Sequence, residues 1–146
     1  RRNEIIMPYR RVSVIILKGD QVLLVKLKEM DRALPRSTWV FPFLSLSEGD
    51  SPRKAMGDLL TNLSISFDIQ DKIFRYVPSE NPKLNYIVYV VSYKSGDPDV
   101  SKYFQTYKWV NIKDITAYST SFMDSNITAY LNDVAERYAK FDFNKT

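Results

Sequence analysis

The sequence contains neither cysteine nor histidine in its 146 residues. That excludes thiol nucleophiles, Ser-His-Asp triads, disulfide scaffolds and zinc sites of the usual ligand sets. Any chemistry must rest on carboxylates, lysines, tyrosines or hydroxyls. No run of about 18 apolar residues is present, so no membrane-spanning helix is expected. No basic stretch, apolar core and small-residue cleavage site opens the sequence, so export has no support either. The lack of cysteine agrees with a reducing compartment. The expectation is a cytoplasmic protein with no membrane partner. Internal repeats and low-complexity linkers are lacking as well, which excludes a solenoid or a string of domains.

The residues that are present comprise 45% hydrophobic and 26% charged side chains, the balance of a folded globular chain. A chain of this length supports one core. The expected division is a single domain over residues 9–142, an N-terminal extension over 1–8 and a C-terminal tail over 143–146. Lysine and arginine number 21 against 17 aspartates and glutamates, a formal charge of +4. This balance favours anionic partners.

Arg11 to Lys18 is β-branched and apolar, as is Gln21 to Lys28 after the turn Lys18-Gly19-Asp20, and the pair predicts a β-hairpin. Both strands are apolar on both faces near their middles, which implies a sheet covered by helices on both sides. Glu29 to Thr38 is charged and contains Pro35, so it reads as a loop, ended by the extended run Trp39 to Pro42. Ser51 at the N-cap and Pro52 at the first helical position start a helix predicted over Pro52 to Leu63. Its apolar face holds Ala55, Met56, Leu59, Leu60 and Leu63, and its polar face Arg53, Lys54, Asp58, Thr61 and Asn62. Strands are predicted over Ile65 to Val77, Leu84 to Tyr93 and Tyr103 to Val110. Ile127, Tyr130, Leu131, Val134, Tyr138 and Phe141 recur at helical spacing, with Asp124 or Ser125 as cap, giving a C-terminal amphipathic helix. The order of elements is that of an α+β domain with a mixed β-sheet.

Aromatic residues reach 14%. With the basic strands Arg10-Arg11, Lys26 to Lys28 and Arg75-Tyr76, they combine stacking surfaces with phosphate-attracting charge, as binders of single-stranded nucleic acid do. Arg10, Arg11, Lys26, Lys28, Phe41, Arg75 and Tyr89 are therefore candidate ligand-binding residues. Against this stands the plainer role of each, packing for the rings and solubility of a sheet edge for the cations. Asp97 and Asp99 lie in a Gly-Asp-Pro turn, where aspartate hydrogen-bonds locally. Glu48 and Asp50 precede the helix start, where negative charge suits the helix dipole.

Trp39-Val40-Phe41-Pro42, Glu48-Gly49-Asp50-Ser51-Pro52, Ala55, Asp58-Leu59 and Ile65 resemble the box of the Nudix hydrolases, W-x-F-P-G-G, G-E-S-P, A-x-R-E-L-x-E-E-x-G-I. Gln21 to Leu27 is similar to that family's V-L-L-V strand, and Lys108-Trp109-Val110 to its later R-W-V strand. The likeness spans roughly Tyr9 to Leu131. It implies an α/β/α sandwich around the mixed sheet, and hydrolysis of a nucleoside diphosphate derivative by divalent cations held on the box glutamates.

The departures fall on that chemistry. Phe43 and Leu44 stand at the two glycines, Asp50 at the glutamate of G-E-S-P, Gly57 at the arginine and Asp58 at the first helix glutamate. Thr61 and Asn62 replace the E-E pair, and Ser64 the glycine. One helix carboxylate beside Arg53 and Lys54 is a poor ligand set for a hard divalent ion. The resemblance therefore implies a Nudix-like domain whose box is vestigial, with no metal site, no catalytic residue and no cofactor. Its expected work is binding a nucleotide or RNA, or scaffolding. One alternative is a divergent hydrolase using Mg2+ on carboxylates from Glu48, Asp50, Asp58 or the Asp97 loop. Another is a structural subunit with a protein partner or a second copy of itself.

Overall fold

The computed structural model describes residues 9–33, 38–118 and 124–145, with side chains from 10 to 140. The expected extension 1–8 lies outside the described residues, as does the side chain of Phe141. The sheet is built from β1 (Tyr9–Lys18), β2 (Gln21–Lys26), β3 (Trp39–Val40), β4 (Phe43–Leu46), β5 (Ser66–Tyr76), β6 (Leu84–Ser95) and β7 (Thr106–Asn111). Two helices, α1 (Pro52–Asn62) and α2 (Ser125–Lys145), pack on it, and a 3₁₀ helix, Ile112–Ala117, precedes α2. α2 thus continues into the stretch expected to be a tail.

The strand order is β3-β2-β1-β6-β5, with β4 pairing β1 and β7 pairing β2. β1 runs parallel to β6 and antiparallel to β2 and β4, which makes the sheet mixed. Val12, Val14, Ile15 and Ile16 of β1 and Val22 to Val25 of β2 are all fully buried. Successive strand residues point to opposite faces, so both faces of these strands are covered, as their doubly apolar sequence requires. The hairpin turn needs its glycine: Gly19 has φ +62, and a Cβ there would meet the Tyr138 ring at 3.1 Å.

Ser51 caps α1, its Oγ accepting from the Lys54 amide at 3.2 Å, and Pro52 follows at the first turn. The helix lies across β1 and β4. Met56, Leu59, Leu60 and Leu63 are buried and Ala55 half-buried, each large side chain contributing about 1.5–3 kcal/mol. α2 is capped by Asp124, whose Oδ1 accepts from the Ile127 amide at 2.7 Å. It buries Ile127, Leu131 and Ala135 and sets the Tyr130 ring edge-on to Phe74 of β5.

Four elements depart from the sequence reading. β2 ends at Lys26, so Lys28 belongs to the following loop. Phe43–Leu46, where the sequence predicts no element, is a strand, because its pairing with β1 from Ser13 to Arg10 supplies the order that its short sequence lacks. β7 begins at Thr106, since the amides of Tyr103 and Phe104 both donate to the Val100 carbonyl and close a turn instead. The 3₁₀ helix starts where Asn111 accepts from the Lys113 amide, a cap no apolar periodicity announces.

Candidate functional site

The exposed side of α1 carries the residues that the box resemblance singles out. Asp50 sits in the preceding turn, where its Oδ2 accepts from the Ser47 amide at 2.7 Å, so its carboxylate shapes the loop. Gly57 leaves open space, with nothing within 4 Å of a Cβ placed there. Asp58 lies 3.8 Å from the Lys54 ammonium, both exposed, a pairing of small energetic weight. Thr61 Oγ1 donates to the Gly57 carbonyl at 2.9 Å, and Asn62 Nδ2 to the Asp58 carbonyl at 2.8 Å. The remaining polar atom of Asn62, Oδ1, accepts from Lys102 Nζ at 3.1 Å.

Lys102 arrives there through a loop fastened at three points. The Asp99 amide donates to the Leu63 carbonyl at 2.9 Å, capping the end of α1. Lys28 Nζ donates to the Ser101 carbonyl at 2.7 Å, and the Gln105 amide to the Lys26 carbonyl at 2.8 Å. Within the loop, the hydroxyl and amide of Ser101 both donate to Asp99 and hold its carboxyl below the usual range. The structure therefore brings Lys28 and Lys102 to the loop at the end of α1, while Lys26 is tied to that loop only through its backbone carbonyl. Sequence reasoning missed Lys102, because its partner lies 40 residues away and no local spacing records that contact. Among the described residues, no three carboxylates come close enough together to hold a metal ion.

The other candidate residues are placed apart. Arg10 is hydrogen-bonded through Nη2 to the Ser47 carbonyl at 3.2 Å. Arg11 forms a two-pronged ion pair with Asp31 at 2.7 and 3.0 Å, donates to the Tyr86 hydroxyl at 3.0 Å and lies 4.6 Å from the Phe43 ring centre. Burial opposes its charge, but the bonds to Asp31 and Tyr86 outweigh burial and raise its pKa. Together with Arg32, Ser45 and Asn81, this pair lines an open cleft of about 470 Å³. Phe41 and Tyr89 are 2% and 7% exposed, so their rings belong to the core. Arg75 lines a separate cleft, between β5 and α2.

No protein-family model and no curated protein matches the chain. Solved structures do. An Ap4A hydrolase of C. elegans superposes with a TM-score of 0.63 at 15% identity, over 90% of this chain and 98% of that one. An ADP-ribose pyrophosphatase of Streptococcus suis gives 0.61 at 11%, over 88% and 92%. A Nudix hydrolase of Nitrosomonas europaea gives 0.58 at 19%, over 89% of each chain. No helix among the described residues is long and apolar enough to cross a membrane. The mixed sheet, the helix after the box loop and these superpositions establish that the chain has the Nudix fold.

Proposed function

We propose that this chain is a non-catalytic Nudix-fold module of the cytoplasm that binds a phosphate-bearing ligand, a nucleotide or RNA. One observation carries the reading. Asn62, at the place of a metal-binding glutamate in the resembling box, offers a neutral oxygen that is already taken by the Lys102 ammonium. A hard divalent ion needs several oxygen ligands, most of them anionic. The surface instead presents Lys54, Lys28 and Lys102 with two exposed aspartates, Asp58 paired to Lys54 and Asp99 held by Ser101. Magnesium does not fit that set, whereas phosphate is attracted to it directly. The ligand class is supported by fold neighbours named for Ap4A and ADP-ribose.

Calorimetric titration tests this, first with Mg2+ or Mn2+ and then with ADP-ribose, Ap4A and a short RNA. The expected result is no ion binding, ligand binding that weakens as salt is added, and no product on prolonged incubation with either metal. The neighbours are hydrolases by name, which favours a second reading: a divergent hydrolase recruiting Asp58 and Asp50. Metal-dependent turnover abolished by Asp58→Asn establishes that reading and overturns the first.

A further inference from the structure

β5 is an edge strand of the sheet. Relative to β6 it carries extra residues between Ile69 and Ile73. Such a bulge re-aims side chains and spoils strand addition at an edge. Here it contains Lys72, whose ammonium lies 5.3 Å from the Phe74 ring centre and 5.7 Å from that of Tyr130 on α2. Phe74 and Tyr130 brace each other edge to face at 5.5 Å. Lys72, Arg75, Asn126 and Tyr130 line the open cleft between strand and helix, about 470 Å³ in volume, within the range of small-ligand sites.

Asp71 lies beside Lys72 in the bulge, yet no ion pair joins the two among the described residues. Asp68 pairs with Lys94, Asp133 pairs with Arg137, and Asp124 caps α2. Among the described residues neither Lys72 nor Arg75 has an ion pair. Two rings hold the Lys72 ammonium in place by cation–π attraction, which orients the charge without cancelling it, as a carboxylate would. From this geometry we infer that the β5–α2 cleft is a phosphate site, with Lys72 gripping a phosphate group of a nucleotide or of an RNA strand and Arg75 adding positive charge from the edge of the cleft. This deepens the binding reading above, on which it rests, by moving the phosphate grip away from the α1 surface.

The test compares wild type with the double variant Lys72→Gln, Arg75→Gln, using ADP, inorganic phosphate and a short fluorescein-labelled oligouridylate in EDTA at low salt. Each lost contact weakens binding by roughly tenfold, and the oligouridylate salt dependence becomes shallower by about 0.7 per phosphate contact. Loss for all three ligands identifies a free-phosphate site, and loss for the oligouridylate alone identifies a strand site; either supports the proposal. Lys72→Arg restores part of the affinity in both cases, and an unchanged thermal melt shows that the loss is not unfolding. If the double variant binds like wild type while Lys28→Glu with Lys102→Glu abolishes binding, the cleft proposal falls and the binding reading stands. If wild type binds none of the three, both fall.

Discussion

The two open clefts have the same volume, about 470 Å³, and each contains an arginine that the sequence marks as basic, yet they treat charge in opposite ways. In the first, Arg11 is 11% exposed and clamped by an Asp31 that is 8% exposed. In the second, Lys72 and Arg75 have no ion pair among the described residues, and rings rather than carboxylates orient the ammonium. Basic sequence alone does not separate a charge spent on the fold from one available to a ligand. The separation is made by Asp31, which comes from a loop 20 residues away and turns the Arg11 cleft into a latch that pins that loop to the sheet.

The largest expected effect breaks this comparison most directly. Arg11→Met removes the two-pronged charged partner of a nearly buried Asp31, a loss of roughly 3–5 kcal/mol. Lys72→Met removes an exposed charge and stays within about 0.5 kcal/mol. Urea denaturation of both variants reads the difference from the midpoints. Similar small losses for the two would show that the Arg11 pair is not a structural latch, and the contrast between the clefts would collapse.

How much of this was legible follows the same division. The hairpin, α1 and the long strand β6 could be read from the sequence because their signals are local: apolar periodicity, a serine-proline start, a glycine turn. The box framework was legible too, and one of its departures carries a conformational trace. Ser64, at the place of the box glycine, has φ +61, the left-handed conformation that glycine favours at the end of a helix. What could not be read was the partner of each charge. Arg11 looks the same in sequence whether it faces water or Asp31, Asn62 gives no hint of Lys102, and the bulge that aims Lys72 exists only against β6. Phe41 and Tyr89 were ambiguous for another reason, since an aromatic ring serves a core and a stacking platform equally well until its burial is known.

Ser64 provides an intermediate effect and a check on the box alignment itself. A side chain in the left-handed region costs roughly 1–2 kcal/mol, and glycine forfeits about 0.4–1 kcal/mol to the greater freedom of the unfolded chain. Ser64→Gly should therefore stabilise the protein by about 0.5–1 kcal/mol, seen as a higher urea midpoint with an unchanged slope. Destabilisation would mean that Ser64 is held by contacts of its own. The helix end would then no longer separate a framework that obeys the box from an exposed face that departs from it.

The smallest effect concerns the tyrosines of the two clefts. Burial pushes the Tyr86 phenol above the ordinary value, against the downward pull of the Arg11 guanidinium that donates to it at 3.0 Å. Burial also raises Tyr130, partly offset by Arg137. In each case the native state keeps its proton longer than the unfolded chain does. The stability this represents is therefore whole below the ordinary tyrosine pKa of 10.0 and declines as pH rises through it. Alkaline titration of the native protein should show a late rise in tyrosinate absorbance that coincides with loss of the far-ultraviolet circular dichroism. Tyr86→Phe should shrink the late phase more than Tyr130→Phe, because only Tyr86 is deeply buried. A single phase at the ordinary value, with the fold intact, would mean that water reaches the Arg11 pair freely and that the two clefts do not differ in the way their charges are held.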